Sequence, residues 1–179
     1  MREISLHILD LAQNSIEAGA TFININIDEN EKSDKLTFTI KDNGKGMSPE
    51  EVSNAYDPFR TTRKTRRVGL GIPLAKLACD MSGGSFSLKS RQGKGTSVKA
   101  VFGYSSIDRR PLGNIAQTVH QLITANDKID FMYTHTVNGK RFAVDTRKIK
   151  RVLNGVSVNE TEISSWISDF LKDGESRLR

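Results

Sequence analysis

Thiols are nearly absent from this chain: Cys79 is the single cysteine in 179 residues. That excludes an internal disulfide and leaves no set of thiols for a metal centre. No apolar run approaches the length that spans a bilayer, so no membrane association is expected. No leader peptide is expected either, because a helical pattern begins almost at Met1. Internal repeats and low-complexity tracts are also missing. What remains is a hydrophobic fraction of 36% and a charged fraction of 27%, the balance of a folded soluble protein. The length suits one ordinary domain, or one domain with a small appendage. Together these features predict a cytoplasmic protein, with Cys79 as a small core residue inside an apolar helical pattern.

Charge is the next signal, at a formal +6. A basic balance fits nucleic acid, an anionic membrane surface or a polyphosphate ligand. Here the positive charge concentrates in Arg60, Arg63, Lys64, Arg66 and Arg67, with a second group over Arg147–Arg151. The first group lies just before a glycine motif, which favours phosphate over nucleic acid. The second reads as a solvated helix face or turn.

Periodicity sketches the elements. Leu6, Leu9, Ala12 and Ile16 recur at helical spacing, and Gly19 is placed to end that helix. Ile23, Ile25 and Ile27 alternate with Asn24 and Asn26, as do Leu36, Phe38 and Ile40 beyond a polar loop over 28–35, giving a strand hairpin. Ser48, Pro49 and Glu51 form an N-cap, a first-position proline and a capping-box glutamate. A later helix carries Leu74, Leu77, Ala78 and Met81 and stops at Gly83-Gly84. Strands over 85–90 and 96–102 follow, separated by Gln92-Gly93-Lys94-Gly95. The expected fold class is α+β: a two-layer sandwich with a mixed, mostly antiparallel sheet and helices on one face.

The pattern breaks around Ser105–Pro111, which divides the chain into residues 1–104 and a region over 105–179 reading as helix, hairpin, helix. Asn114 with Gln117 caps the first of these helices. Asn138-Gly139 is a strong two-residue hairpin signal, pairing Tyr133 with Val144 and His135 with Phe142. Asn159 and Glu162 stand at the start of the last helix, whose stripe is Ile163, Trp166, Ile167, Phe170 and Leu171. That stripe predicts packing on the first region or on a second copy of the chain.

Four short segments carry the chemistry. Asp10, Gln13, Asn14 and Glu17 share one face of the first helix. Asp42-Asn43-Gly44-Lys45-Gly46-Met47 follows a strand directly. Gly69-Leu70-Gly71 opens a helix, where free N–H groups and the helix dipole favour a phosphate. Gly93-Lys94-Gly95-Thr96 leads into a strand. Each alone has an ordinary explanation, as a polar stripe or as a glycine turn. Their order and spacing set them apart.

With these four segments the chain resembles the GHKL ATPases, the superfamily of gyrase, heat-shock chaperones, histidine kinases and MutL-type mismatch-repair proteins. LAQNSIEAGA (11–20) resembles the N box of the mismatch-repair branch, and DNGKGM (42–47) matches the first glycine box. Residues 57–102 resemble the histidine-kinase branch from its F box through both later glycine boxes. The match covers about residues 5–103 and implies the Bergerat fold with Mg-ATP as ligand. By that resemblance Asp42 would accept a hydrogen bond from the adenine amino group. Gly44, Gly46 and Met47 would shape the approach to the base, with Ala18 beside them and Thr96 assisting at the adenine. Asn14 would coordinate Mg²⁺. Gly69, Leu70 and Gly71 would present N–H groups to the phosphates, and Arg60 or Lys64 would neutralise phosphate charge from a lid over Thr61–Val68.

Asp10 stands one helical turn before Asn14, where hydrolytic members place a glutamate. It is therefore the candidate general base, one methylene shorter, or else a group that orients Asn14. No histidine of the chain (His7, His120, His135) sits in a phosphoacceptor motif, and Arg67-Val68 replaces the Gly-x dipeptide expected before Gly69. The resemblance thus implies a regulatory Mg-ATP-binding protein acting on a protein partner, with protein kinase activity as one option. The alternatives are a nucleotide-controlled binding module without phosphoryl transfer and a weak MutL-type ATPase.

Overall fold

The computed structural model describes residues 3–59 and 70–179. These form α1 (Ile4–Glu17), β1 (Phe22–Asn30), β2 (Lys35–Asp42), α2 (Pro49–Asn54), α3 (Gly71–Met81), β3 (Ser85–Arg91) and β4 (Gly95–Gly103). Beyond them come α4 (Ile115–Ala125), β5 (Asp130–Val137), β6 (Lys140–Asp145), α5 (Thr146–Leu153) and α6 (Thr161–Ser176). The strands make one open sheet in the order β3-β4-β2-β1-β5-β6. All neighbours are antiparallel except β1 and β5, which run parallel.

Alternation along the central strands explains the layering. Ile23, Ile25 and Ile27 of β1 and Leu36, Phe38 and Ile40 of β2 point to the covered face and are buried. Each such side chain stabilises the fold by about 1.5–3 kcal/mol. The helices cover that face, with α1 against β2, α3 and α4, and α6 against α4. On the other face the same strands show threonine, asparagine and lysine, so the mixed two-layer fold follows from period two in the strands.

Several expectations change in detail. In α1 the buried residues are Ile4, Ser5, His7, Ile8, Leu11, Ala12 and Ser15, whereas Leu6 is exposed. This helix is apolar on more than one side, so two stripes fit its periodicity. In α3 the buried face is Gly71, Ala75 and Cys79, whereas Leu77 and Met81 are half exposed. Small residues let that helix approach α1 and β4 closely, which a preference for large side chains overlooks. β1 continues to Asn30, three residues into the expected loop. The basic run over 147–151 forms a helix of its own, α5, capped by the Asp145 carboxylate, which accepts from the Arg147 N–H. Asn159 does not cap α6, whose N-cap is Glu160 without a side-chain bond.

The Asn138-Gly139 hairpin forms in the expected register, with Tyr133 opposite Val144 and His135 opposite Phe142. Both turn residues have positive φ, 48° and 90°, as such a turn demands. The sequence did not indicate where this hairpin goes. β5 joins the free edge of β1, so residues beyond 105 extend the same sheet rather than standing apart. Ile167 and Leu171 of α6 are buried, while Trp166 and Phe170 stack on each other at 5.3 Å on the partly open side of that helix.

Candidate functional site

Asp42 is the last residue of β2, and its carboxylate is held from three directions. The Ser15 hydroxyl on α1 donates to Oδ2 at 2.6 Å. The Gly44 and Thr96 backbone N–H groups donate to Oδ1 at 2.9 and 3.2 Å. Charge-assisted bonds of this kind fix a carboxylate's orientation as well as its position. Ser15 reaches it because α1 lies along the end of β2, one residue after Asn14 in the polar face of that helix.

The two loops beside Asp42 lock together through their backbones. Gly46 has φ +67°, and a Cβ there would overlap the Arg91 carbonyl oxygen. Gly95 has φ +96°, and a Cβ there would overlap the Asp42 carbonyl. The Gly93 N–H donates to the Lys45 carbonyl at 2.6 Å, and the Lys45 N–H donates to the Ala18 carbonyl at 2.9 Å. Only residues without a side chain permit this approach. Ser90 of β3 completes the junction: its hydroxyl accepts from the Met47 N–H at 2.8 Å and donates to the Gly95 carbonyl at 3.0 Å.

A cavity of about 350 Å³ opens on this junction. Asp42, Thr96 and Gly46 line one end, and Leu11, Ile72, Leu88 and Val98 supply apolar walls. Asn14, Ala18, Met47 and Gly71 line it as well. Its size falls within the range of small-molecule sites, as does its lining of apolar walls with a few aimed polar groups. Glu51 and Asn54 of α2 also line it, and the Ser48 cap and Glu51 capping box of that helix form as expected.

The expected site residues thus divide. Asn14, Ala18, Asp42, Gly46, Met47, Gly71 and Thr96 come together around one cavity, with Gly44 packed against Ala18 behind it. Leu70 is the N-cap of α3. Asp10 is not among the described residues that line the cavity. Its carboxylate lies against Gly71, where a Cβ would overlap Oδ2, and the Asn14 amide nitrogen is 3.8 Å from the same position. Arg60, Lys64 and Gly69, with the lid over 61–68, lie outside the described residues. Sequence reasoning missed Ser15, Ser90 and the walls Ile72, Leu88 and Val98. A serine next to Asn14 was visible as a polar residue on α1, but its reach to a carboxylate 27 residues away is a tertiary fact.

No group of three or more His, Cys, Asp or Glu side chains that could hold a metal occurs among the described residues. Magnesium does not require one: it keeps several waters and is often held by one or two protein oxygens plus phosphates. The Asn14 side chain, facing the cavity, fits that limited role.

Residues 2–105 match the family of histidine kinase-, DNA gyrase B- and HSP90-like ATPases, and the chain belongs to that family. The sensor protein SrrB of Staphylococcus aureus is 36% identical over 101 residues, which is 54% of this chain and 17% of that protein. The chain therefore corresponds to a small part of the curated relatives it matches. The N-terminal domain of a DNA repair protein shares the fold, at TM-score 0.57 and 18% identity, over 80% of this chain and 52% of that one. The ADP-complexed ATPase domain of Aquifex aeolicus MutL superposes at TM-score 0.47 and 14% identity, over 86% and 70%. Among the described residues no helix is long and apolar enough to cross a membrane.

Proposed function

We propose that the chain binds Mg-ATP in this cavity and acts as a nucleotide-controlled regulatory protein, with transfer of the γ-phosphate to a protein partner as its candidate activity. The observation that carries the reading is Asp42. An acceptor carboxylate is fixed at the end of an apolar slot, where an amino-substituted heteroaromatic base would donate to it. Apolar walls suit the faces of such a base, and the N-terminus of α3 beside Asn14 suits the phosphates. Asn14 would hold the magnesium, whose role is to neutralise phosphate charge. Arg60 or Lys64, with Gly69, Leu70 and Gly71, would complete the phosphate end. In this reading residues 1–104 carry the nucleotide site. Residues 105–179 brace its central strand and offer surfaces to a protein partner or a second copy of the chain.

Slow hydrolysis is the second reading, favoured by one observation: Asp10 and Asn14 converge on Gly71, at the start of the helix that would face the phosphates. Asp10 would then act as base toward a water. The two readings separate in a phosphate-release assay on the full chain. Phosphate released without a partner and abolished by Asp10→Asn supports hydrolysis. No release, with label from γ-labelled ATP appearing on a co-purified protein, supports the kinase. Failure to bind Mg-ATP at all removes both.

A further inference from the structure

We infer that Ser90 is a positioning residue that sets which way the Thr96 hydroxyl points, and thereby makes the base-reading end of the cavity accept hydrogen bonds only. The inference rests on the nucleotide reading above and names how that site would choose its base.

A serine hydroxyl has one hydrogen and two lone pairs. Three groups surround Ser90 Oγ: the Met47 N–H at 2.8 Å, the Gly95 carbonyl at 3.0 Å and the Thr96 hydroxyl at 2.8 Å. The Met47 N–H can only donate and occupies one lone pair. The Gly95 carbonyl can only accept and takes the hydrogen. One lone pair is left, so the Thr96 hydroxyl donates its own proton to Ser90. The remaining lone pairs of Thr96 Oγ1 are then all that it can offer the cavity.

Asp42 has the same sign. Its Oδ2 takes the Ser15 proton, its Oδ1 takes two backbone N–H groups, and it has no proton to give while ionised. Two acceptors, Asp42 and Thr96, therefore stand side by side, since Asp42 and Thr96 are register partners across β2 and β4. A 6-amino purine brings a group with two hydrogens to that end, directly or through water. A 6-oxo purine brings the acceptor O6 to that position, with N1–H as the donor beside it, and no hydroxyl is free to turn and meet O6. Ser90 enforces this without touching the ligand: Leu88 and not Ser90 is the β3 residue that lines the cavity.

The test compares calorimetric binding of Mg-ATP and Mg-ITP, which differ at the 6-position and in the proton on N1, on the full chain and on Ser90→Ala, Thr96→Val and the double variant. Removing the Ser90 hydroxyl releases Thr96 to rotate and donate. The ATP:ITP preference should then fall by roughly fivefold, the worth of one ordinary hydrogen bond. Thr96→Val, which keeps the shape of threonine, should relax the preference similarly. The double variant should match Thr96→Val alone, because Ser90 would have nothing left to act through. A Ser90→Ala protein that weakens both nucleotides equally, or preference changes that add in the double variant, would overturn the inference while leaving the site intact. Should Ser90→Ala not fold, an unchanged preference in Thr96→Val overturns it equally. A native chain that binds neither nucleotide removes the nucleotide reading and this inference with it.

Discussion

His135 is fully buried between two carboxylates, which makes it the most informative residue to replace outside the nucleotide site. Its Nδ1 is 2.7 Å from Glu175 of α6 and its Nε2 is 3.0 Å from Glu29 of β1. The Tyr133 hydroxyl donates to Glu175 at 2.6 Å, and Arg179 donates to Glu29 at 2.7 Å. Both ring nitrogens can donate only when the imidazole is protonated. Burial pulls its pKa down, but the bonds to Glu175 and Glu29 outweigh burial, and the net direction is upward. Removing the ring leaves two carboxylates facing each other in the interior, a loss that typically costs about 3–5 kcal/mol. His135→Gln should therefore lower the melting temperature at pH 6 by about 6–20 °C, using about 2–4 °C per kcal/mol for a chain of this size. The sign of the pH dependence follows from the raised pKa. The stabilisation is fully present below about 6.5, the unfolded value, and is lost as pH rises through the folded value. The gap between native and His135→Gln proteins should thus narrow on the alkaline side. Thermal unfolding of both proteins from pH 5 to 10 reads this directly. A variant within about 0.5 kcal/mol of native at pH 6, the scale of an indifferent surface change, would refute the reasoning. So would a gap that widens with pH.

The acid side belongs to His7. Its two ring nitrogens are buried without a hydrogen-bond partner among the described residues, and burial, helped by Arg110, lowers its pKa to about 4. The unfolded chain then takes up this proton first, so stability should fall by about 3 kcal/mol between pH 6.5 and 4. His7→Leu should flatten that limb of the stability profile, which urea unfolding at fixed pH values can measure. Gly46→Val should abolish nucleotide binding while leaving most of the helix signal in circular dichroism, because its Cβ would meet the Arg91 carbonyl at a positive φ. Ser15→Ala should weaken Mg-ATP binding by roughly tenfold, since Asp42 loses the hydroxyl that fixes Oδ2.

The strands and the glycine loops were legible because their signals are local. Alternation in β1 and β2 reads directly as a half-buried hairpin, and the Ser48-Pro49-Glu51 start and the Asn138-Gly139 turn are each specified within four residues. The helix faces were less legible. Leu6 and Leu77 fit a stripe in sequence, yet α1 and α3 turn Ile8 and Ala75 inward, because packing between those helices selects the faces that fit closely. The parallel pairing of β1 with β5 links residues about 108 apart and has no local sign. The site divided the same way. Asp42 and its glycines announced themselves, whereas Ser15 and Ser90 act through hydroxyls whose partners are assembled only by the fold.

The measurement that bears most directly on the account is calorimetric titration of Mg-ATP into the full chain and into Asp42→Ala. One site per native chain is expected, with affinity reduced by about 10-fold or more in the variant, because a charged hydrogen bond to the base is lost. Equal binding by both proteins would contradict it, showing that the nucleotide is not read by Asp42. So would no binding by the native chain.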